Sequence, residues 1–333
     1  MKKYKVYGMG AALVDTEIKV EDLDLKNMGV DKGMMTLVDE ARQGELLGHL
    51  EGHLVKANHA SGGSAGNSMI ASALFGGPSF MTCKVAADAD GDIYVADLEA
   101  AGVDHCLREG RASGTTGKCL VLITPDAERS MNTFLGISET LSDEQLDAQA
   151  LADSEYLYIE GYLVTSPTGR AAAIKARQLA EQTGVKTALS FSDPGMVEFF
   201  RDGMEDMVGD GLDLVFCNEA DALGWGKTEV LAEAIDALKQ VAKQFVITLG
   251  AEGALTWDGE MLSEIPPHQV HAVDSNGAGD MYAGAFLYAI TRGEDFPTAG
   301  RFASLAAGKI VANYGPRLAN EAYPALRREF FGD

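Results

Sequence analysis

The chain has 333 residues, 46% of them hydrophobic, which is enough for one large domain with a small appendage. Its 27 Lys and Arg face 50 Asp and Glu, and the formal charge of -23 repels DNA, RNA and anionic lipid as partners. An anionic small ligand stays admissible, because a few backbone amides and one or two arginines make a local positive pocket in an acidic protein.

In chain order, Tyr4–Ala11 reads as a strand. The segment Thr16–His59 then breaks the pattern with scattered charges and one short helix near Asp39–Leu50. Asn67–Phe75 is helical in spacing, Phe80–Val85 is a strand, and Ile93–Ala101 is helical again. Two alternating runs follow, Lys118–Thr124 and Arg129–Leu135, with a turn at Pro125-Asp126-Ala127 between them, so a hairpin is expected. Beyond it, strands at Tyr156–Glu160, Lys186–Phe191, Leu212–Cys217 and Phe245–Leu249 alternate with helical patterns at Gly169–Thr183 and Val230–Lys243. This rhythm predicts a three-layer α/β/α core with a mainly parallel central sheet. The core takes 1–15, 60–104 and 136–333, and 16–59 with 105–135 form a discontinuous lid, small, antiparallel and β in character.

Two glycine-rich turns lead directly into helices. Asp274-Ser-Asn-Gly-Ala-Gly-Asp280 points successive amides outward at an electropositive helix end, which suits a phosphoryl group in transfer. Asp280 stands in the first turn, within reach of an acceptor hydroxyl beside that anion hole; it also suits a plain helix cap. Ser61-Gly-Gly-Ser-Ala-Gly-Asn67 allows close backbone approach by a ligand, and Asn67 offers a donor and an acceptor, which suits a sugar or ribose. An ordinary capped loop fits that segment equally well.

Gly62-Gly63-x-x-x-Asn67 and Gly277-Ala278-Gly279-Asp280 resemble the two signature motifs of the ribokinase family, in order and at about the family spacing. Asn276 before Gly-Ala-Gly is similar to the adenosine-kinase branch, and the likeness runs from Met9 to about Arg317. The resemblance implies a ribokinase-like fold and an ATP-dependent kinase, with Asp280 as base and the amides of Gly277, Ala278 and Gly279 as anion hole. It implies that Asp15, at the end of the first strand, binds acceptor hydroxyls together with Gly62, Gly63 and Asn67. Arg129 matches a lid arginine that approaches the phosphates. Asn218-Glu-Ala-Asp221 stands where the family carries Asn-x-x-Glu near Mg2+, so Asp221 departs from the pattern by one methylene. Thr248, Gly250 and Gly253 match the nucleotide-side loop, Ser304 and Ala307 a late helix near the adenine, and Asp274 with Asn276 the region where K+, common in the family, would bind. Around the acceptor, Tyr162 offers a ring, and Leu13, Leu37, Met35 and Met131 an apolar slot.

These features predict phosphorylation of a primary hydroxyl of a nucleoside, adenosine first, with a free sugar such as ribose or a ketohexose derivative as the alternative. A non-catalytic nucleoside or nucleotide sensor on the same fold is the reading of another class; it has no need of Asp280. Gly226-Lys227-Thr228 is no P-loop, since the earlier glycine position is Asp221, and Gly8-x-Gly10 lacks the third glycine at Leu13. His49, His53 and His59 have spacings that suit no common metal pattern, and Met34–Met35 suits packing or a ligand pocket. Cys83, Cys106, Cys119 and Cys217 form no CxxC pair, which fits a reducing, cytoplasmic compartment. No stretch reaches the ~18 apolar residues of a membrane span, and the apolar run before Asp15 is too brief for a signal-peptide core. A monomer or a homodimer is expected.

Overall fold

The computed structural model describes residues 2–50, 60–126 and 128–333. Its strands are β1 (Tyr4–Met9), β2 (Leu13–Lys19), β3 (Met35–Leu37), β4 (Ala60–Gly62), β5 (Ser79–Thr82), β6 (Asp104–His105) and β7 (Gly117–Ile123). They continue with β8 (Arg129–Phe134), β9 (Ser154–Glu160), β10 (Lys186–Ser190), β11 (Leu212–Asn218), β12 (Ala242–Thr248), β13 (Ala254–Trp257) and β14 (Leu262–Ile265). The large sheet has nine strands in the order β14-β13-β12-β11-β10-β9-β1-β5-β6. It is parallel from β6 through β12 and turns antiparallel only at β13 and β14.

Because side chains alternate across a strand, each central strand feeds two cores. Val6, Leu214, Phe216 and Val246 pack on one face with the helices Ser64–Phe75, Ala278–Arg292 and Phe296–Val311. Tyr7, Val215, Phe245 and Ile247 pack on the other, against the helix Pro167–Thr183 and its neighbours. That two-sided burial explains the near-continuous apolar runs. The 167–183 helix is delimited by local chemistry: Ser166 caps it, Pro167 opens it, and Gly184 closes it at φ 69°.

The small sheet runs β3-β8-β7-β2-β4. β7 and β8 form the expected antiparallel hairpin, from Lys118↔Phe134 to Ile123↔Arg129. Its turn is closed by the Thr124 N–H donating to the Glu128 carbonyl at 3.0 Å; Ala127 lies outside the described residues. The sheet is mixed rather than antiparallel throughout, because β2 pairs parallel to β7 and β3 parallel to β8. β2 and β7 both leave the core at one end, Leu13 opposite Gly117, and run outward together. Ala60–Gly62 pairs antiparallel with Leu13–Asp15 in the same sheet.

Three expectations shift. Asp15 lies inside β2, not at the end of the first strand, which stops at Met9. A second helix, Asp22–Met28, precedes Glu40–His49; a Glu21/Asp24 capping box starts it and Gly29 ends it. The helix expected over Val230–Lys243 ends at Leu238, since Ala242 is already paired with Leu212 in the large sheet.

The helices Ser64–Phe75 and Ala278–Arg292 touch through Gly284, where a Cβ would lie 2.4 Å from the Ser68 carbonyl oxygen and 2.8 Å from Ala71 Cβ. Gly284→Val forces these helices apart, and a loss of about 1–3 kcal/mol is expected. A denaturant titration checks this; unchanged stability would remove the close-packing argument.

Candidate active site

A cavity of about 500 Å³ opens between the small sheet and the C-terminal ends of the parallel strands, a volume usual for small-molecule sites. Its roof is one face of the small sheet. Leu13 and Asp15 of β2, Met35 and Leu37 of β3, Cys119 and Val121 of β7, and Arg129, Met131 and Thr133 of β8 all point into it. The opposite face buries Ile18, Leu120 and Leu122 with Leu25 and Leu46 of the two small-sheet helices. Alternation thus makes the sheet a rigid roof with its own core.

The floor is built where two helices begin. Gly63 precedes the 64–75 helix at φ 85°, and a Cβ there would lie 2.3 Å from the Ala11 carbonyl oxygen, so only glycine fits. Gly277 precedes the 278–292 helix at φ 73°, with the Pro316 carbonyl 2.4 Å from where a Cβ would be. A Cβ at Gly279 would meet nothing within 4 Å, so its Cα faces open space. The first-turn amides of 278, 279 and 280 have no intrahelical partner. Ala278 N–H leans toward the Ser275 carbonyl at 3.3 Å.

Asp280 joins the two helix starts. Its Oδ1 accepts from Ser64 Oγ at 2.6 Å and its Oδ2 from Asn67 Nδ2 at 3.0 Å. Surrounding protein pushes its acid constant above the ordinary carboxylate value, against the pull of those two hydrogen bonds and of Arg129. Asp15 is 6% exposed and borders the cavity, and among the described residues no side chain or amide donates a hydrogen bond to its carboxylate. Burial first, then Glu17 and Asp280, raise it to about 7, while Arg317 and Arg129 oppose the shift. Asn67 Oδ1 is likewise buried and unpartnered.

At the other end of the cavity, Asn218 and Asp221 cap the helix Glu219–Gly226 reciprocally: Asp221 N–H donates to Asn218 Oδ1 and Asn218 N–H to Asp221 Oδ2. Asp221 Oδ1 remains buried without a partner, and burial raises this carboxyl to about 7. A hard oxygen left in this state suits a divalent cation. Thr248 and Gly250 border the same end. Arg129 is the one lysine or arginine on the cavity among the described residues; its Nη1 donates to the Ser275 carbonyl and to Asn276 Oδ1.

Of the residues expected from sequence, Gly62, Gly253, Ser304, Ala307 and Asp274 do not border this cavity. Gly62 serves Asp15 instead: a Cβ would sit 2.1 Å from its carboxylate. Gly253 makes the β12–β13 turn at φ 97°, tight against the Ile265 carbonyl. Ser304 Oγ donates to the Pro266 carbonyl and accepts from His268 N–H, and Ala307 packs on the core. Asp274 is fully buried, with its oxygens accepting from Asn276 N–H and Gly315 N–H, and so staples two loops. Met35 lines the cavity, whereas Met34 is exposed. His53 and His59 lie outside the described residues.

Sequence reading missed Ser64 and Glu160. Glu160, at the end of β9 and 1% exposed, accepts from Ala65 N–H at 2.8 Å and Ala11 N–H at 3.3 Å, and burial raises it to about 7. Gly10 makes room for it. The available signal was a carboxylate closing an apolar strand of a parallel sheet, where such folds place their chemistry.

A three-layer α/β/α core whose strand ends face a small-sheet roof, with paired helix N-termini and a carboxylate between them, is the ribokinase-like fold of ATP-dependent sugar and nucleoside kinases. The structure superimposes on an adenosine kinase from Sinorhizobium meliloti (TM-score 0.92, 33% identity, 98% of this chain and 99% of that one). It matches a probable sugar kinase from Rhizobium etli CFN 42 equally well (TM-score 0.92, 31% identity, 99% of both chains). In sequence it is 28% identical to an adenosine kinase of Schizophyllum commune over 329 residues, 89% of this chain and 91% of that protein. The model of the pfkB family of carbohydrate kinases matches residues 26–322, and the chain belongs to that family.

The Asp15 shift carries a stability signature. Above its unfolded value near 4 the free carboxyl ionises, while the folded one keeps its proton to about pH 7. The unliganded protein therefore loses stability across that window, on the order of 2–4 kcal/mol from this group, and no more above it. Asp15→Asn is expected to match wild type in stability near pH 4 and to exceed it at pH 8. Urea titrations at both pH values check this; an equal difference at each pH would refute it.

Proposed function

We propose that this kinase phosphorylates the primary hydroxyl of a nucleoside, adenosine first, with Asp280 as general base. One observation carries the choice of acceptor: the cavity sets an apolar slot, Leu13, Met35, Leu37 and Met131, beside polar groups, Asp15 on the same sheet and Asn67 and Asp280 on the floor. A flat heterocycle fits against Leu13, Met35, Leu37 and Met131, with Tyr162 at the side, while a ribose presents vicinal hydroxyls to Asp15, the unpartnered carboxylate. A free sugar would satisfy Asp15 and Asn67 and leave Leu13, Met35, Leu37 and Met131 without an apolar partner.

Asp280 then takes the hydroxyl proton, the oxygen forms its bond to the γ-phosphorus of ATP, and the bond to the ADP oxygen breaks with its electron pair leaving on ADP. Charge on the transferring group meets the amides of 278, 279 and 280 at the helix start, with the Gly277 turn setting their direction and Arg129 alongside. Ser64 and Asn67 hold the carboxylate toward the cavity. Asn218 and Asp221 would hold Mg2+, directly or through water, and when bound it would neutralise phosphate charge. Thr248 and Gly250 border the nucleotide end. The small sheet excludes water, the competing acceptor.

Asp280→Asn keeps the size and the hydrogen-bond reach of the side chain and removes its basicity. Turnover is expected to fall about 10²–10⁴-fold with acceptor affinity within a few-fold of wild type; normal turnover in this variant would remove the base. For the acceptor, ATP consumption is measured with adenosine, other nucleosides, ribose and ketohexoses. The highest kcat/KM is expected for adenosine. A free sugar outpacing every nucleoside would replace this reading, and no turnover with any of them would favour a sensor.

A further inference from the structure

Asn276 is buried, and its N–H, its amide nitrogen and its amide oxygen all have partners. The N–H donates to Asp274 Oδ1 at 2.9 Å, Nδ2 donates to Glu17 Oε1 at 2.9 Å, and Oδ1 accepts from Arg129 Nη1 at 3.3 Å. The first tie is local. The other two come from the small sheet, from β2 and β8, so the roof grips the anion turn by one side chain from two strands. Arg129 adds a second hold on the same turn through the Ser275 carbonyl at 3.1 Å. Gly277 follows directly, wedged against Pro316, and the amides of the helix start come next. Little freedom lies between Asn276 and those amides.

Glu17 stands two residues beyond Asp15 on β2 and shares its face. One strand thus carries both the carboxylate offered to the acceptor and the group that holds the turn. We infer that Glu17 is a positioning residue for phosphoryl transfer: through Asn276 it holds the 275–280 turn in the shape that aims the helix-start amides and Asp280, so that seating the roof over the acceptor also assembles the anion site. The inference rests on the proposed roles of those amides and of Asp280. Small displacements of positioned groups cost rate more than binding, and a positioning role differs in this from mere support of the fold.

The test compares Glu17→Ala with Glu17→Gln, which keeps an oxygen able to accept from Asn276 Nδ2. Steady-state kcat and acceptor KM are measured with the best acceptor of the panel. Amide hydrogen exchange over 274–280 is followed in the unliganded protein, together with the thermal midpoint. Glu17→Ala is expected to lower kcat about 10–100-fold, to change acceptor KM less than about threefold, and to speed exchange in the turn, with a near-normal midpoint. Glu17→Gln is expected to restore most of kcat and the slow exchange. If Glu17→Ala does not fold, Asn276→Asp, which lacks the donor to Glu17 but keeps an oxygen for Arg129, takes its place with the same expected pattern. Unchanged kcat, a glutamine variant as impaired as the alanine one, or exchange in the turn equal to wild type would overturn the inference. The exchange measurement uses no acceptor, so it judges the link even if the nucleoside assignment fails.

Discussion

The structure depends on one pair of hydrogen bonds, from Ser64 and Asn67 to the two oxygens of Asp280. They join the first turns of two helices, across 213 residues of chain from Asn67 to Asp280, and they put a carboxylate where both helix dipoles are positive. Among the described residues, no salt bridge holds the Asp280 carboxylate. Its charge is favoured by oriented dipoles and two donors, and its basicity is kept by burial. The close contact at Gly284 follows from this, since the helices must approach tightly for Ser64 and Asn67 to reach Asp280.

The parts legible in sequence are those whose physics is local. Gly63 and Gly277 sit at positive φ against a carbonyl oxygen, so the chain had to write glycine there, and the helices after them follow at once. The apolar strands were legible for the same reason: both faces are buried. What stayed hidden depends on contacts that sequence does not localise. Asp15 reads as the end of the first strand because nothing in Ala11–Ala12 marks the break into β2. The parallel pairing of β2 with β7 needs the knowledge that both strands leave the core side by side. Ser304 looked like a nucleotide contact, but its hydroxyl is used by the 266–268 segment, which sequence cannot bring to that helix.

Glu160 is the most instructive omission. It is a fully buried carboxylate that satisfies Ala11 and Ala65 amides, and so locks the β1 exit to the start of the 64–75 helix. Burying that group has a cost, visible in its raised acid constant, and the backbone amides offset only part of it. The gain is geometric: the helix start that presents Ser64 and Asn67 is fixed from behind.

Asp15, Glu160, Asp221 and Asp280 all border one cavity that carries, among the described residues, a single arginine, inside a protein of net charge -23. Such a site should repel a triphosphate unless the positive terms are close and the negative ones muted. The raised acid constants mute the negative terms, since Asp15, Glu160 and Asp221 approach neutrality near pH 7 in the unliganded site. In the proposed mechanism the helix-start amides would supply the positive term at contact distance, where a low dielectric makes partial charges count. An acidic surface and an anion-binding centre are therefore compatible, because the surface field is screened over about 8–10 Å by salt while the amides, in the proposed mechanism, would act directly on the phosphate. Binding of a cation beside Asp221 or of hydroxyls beside Asp15 would in turn favour the ionised carboxylates, so ligand binding and charge return to the site together.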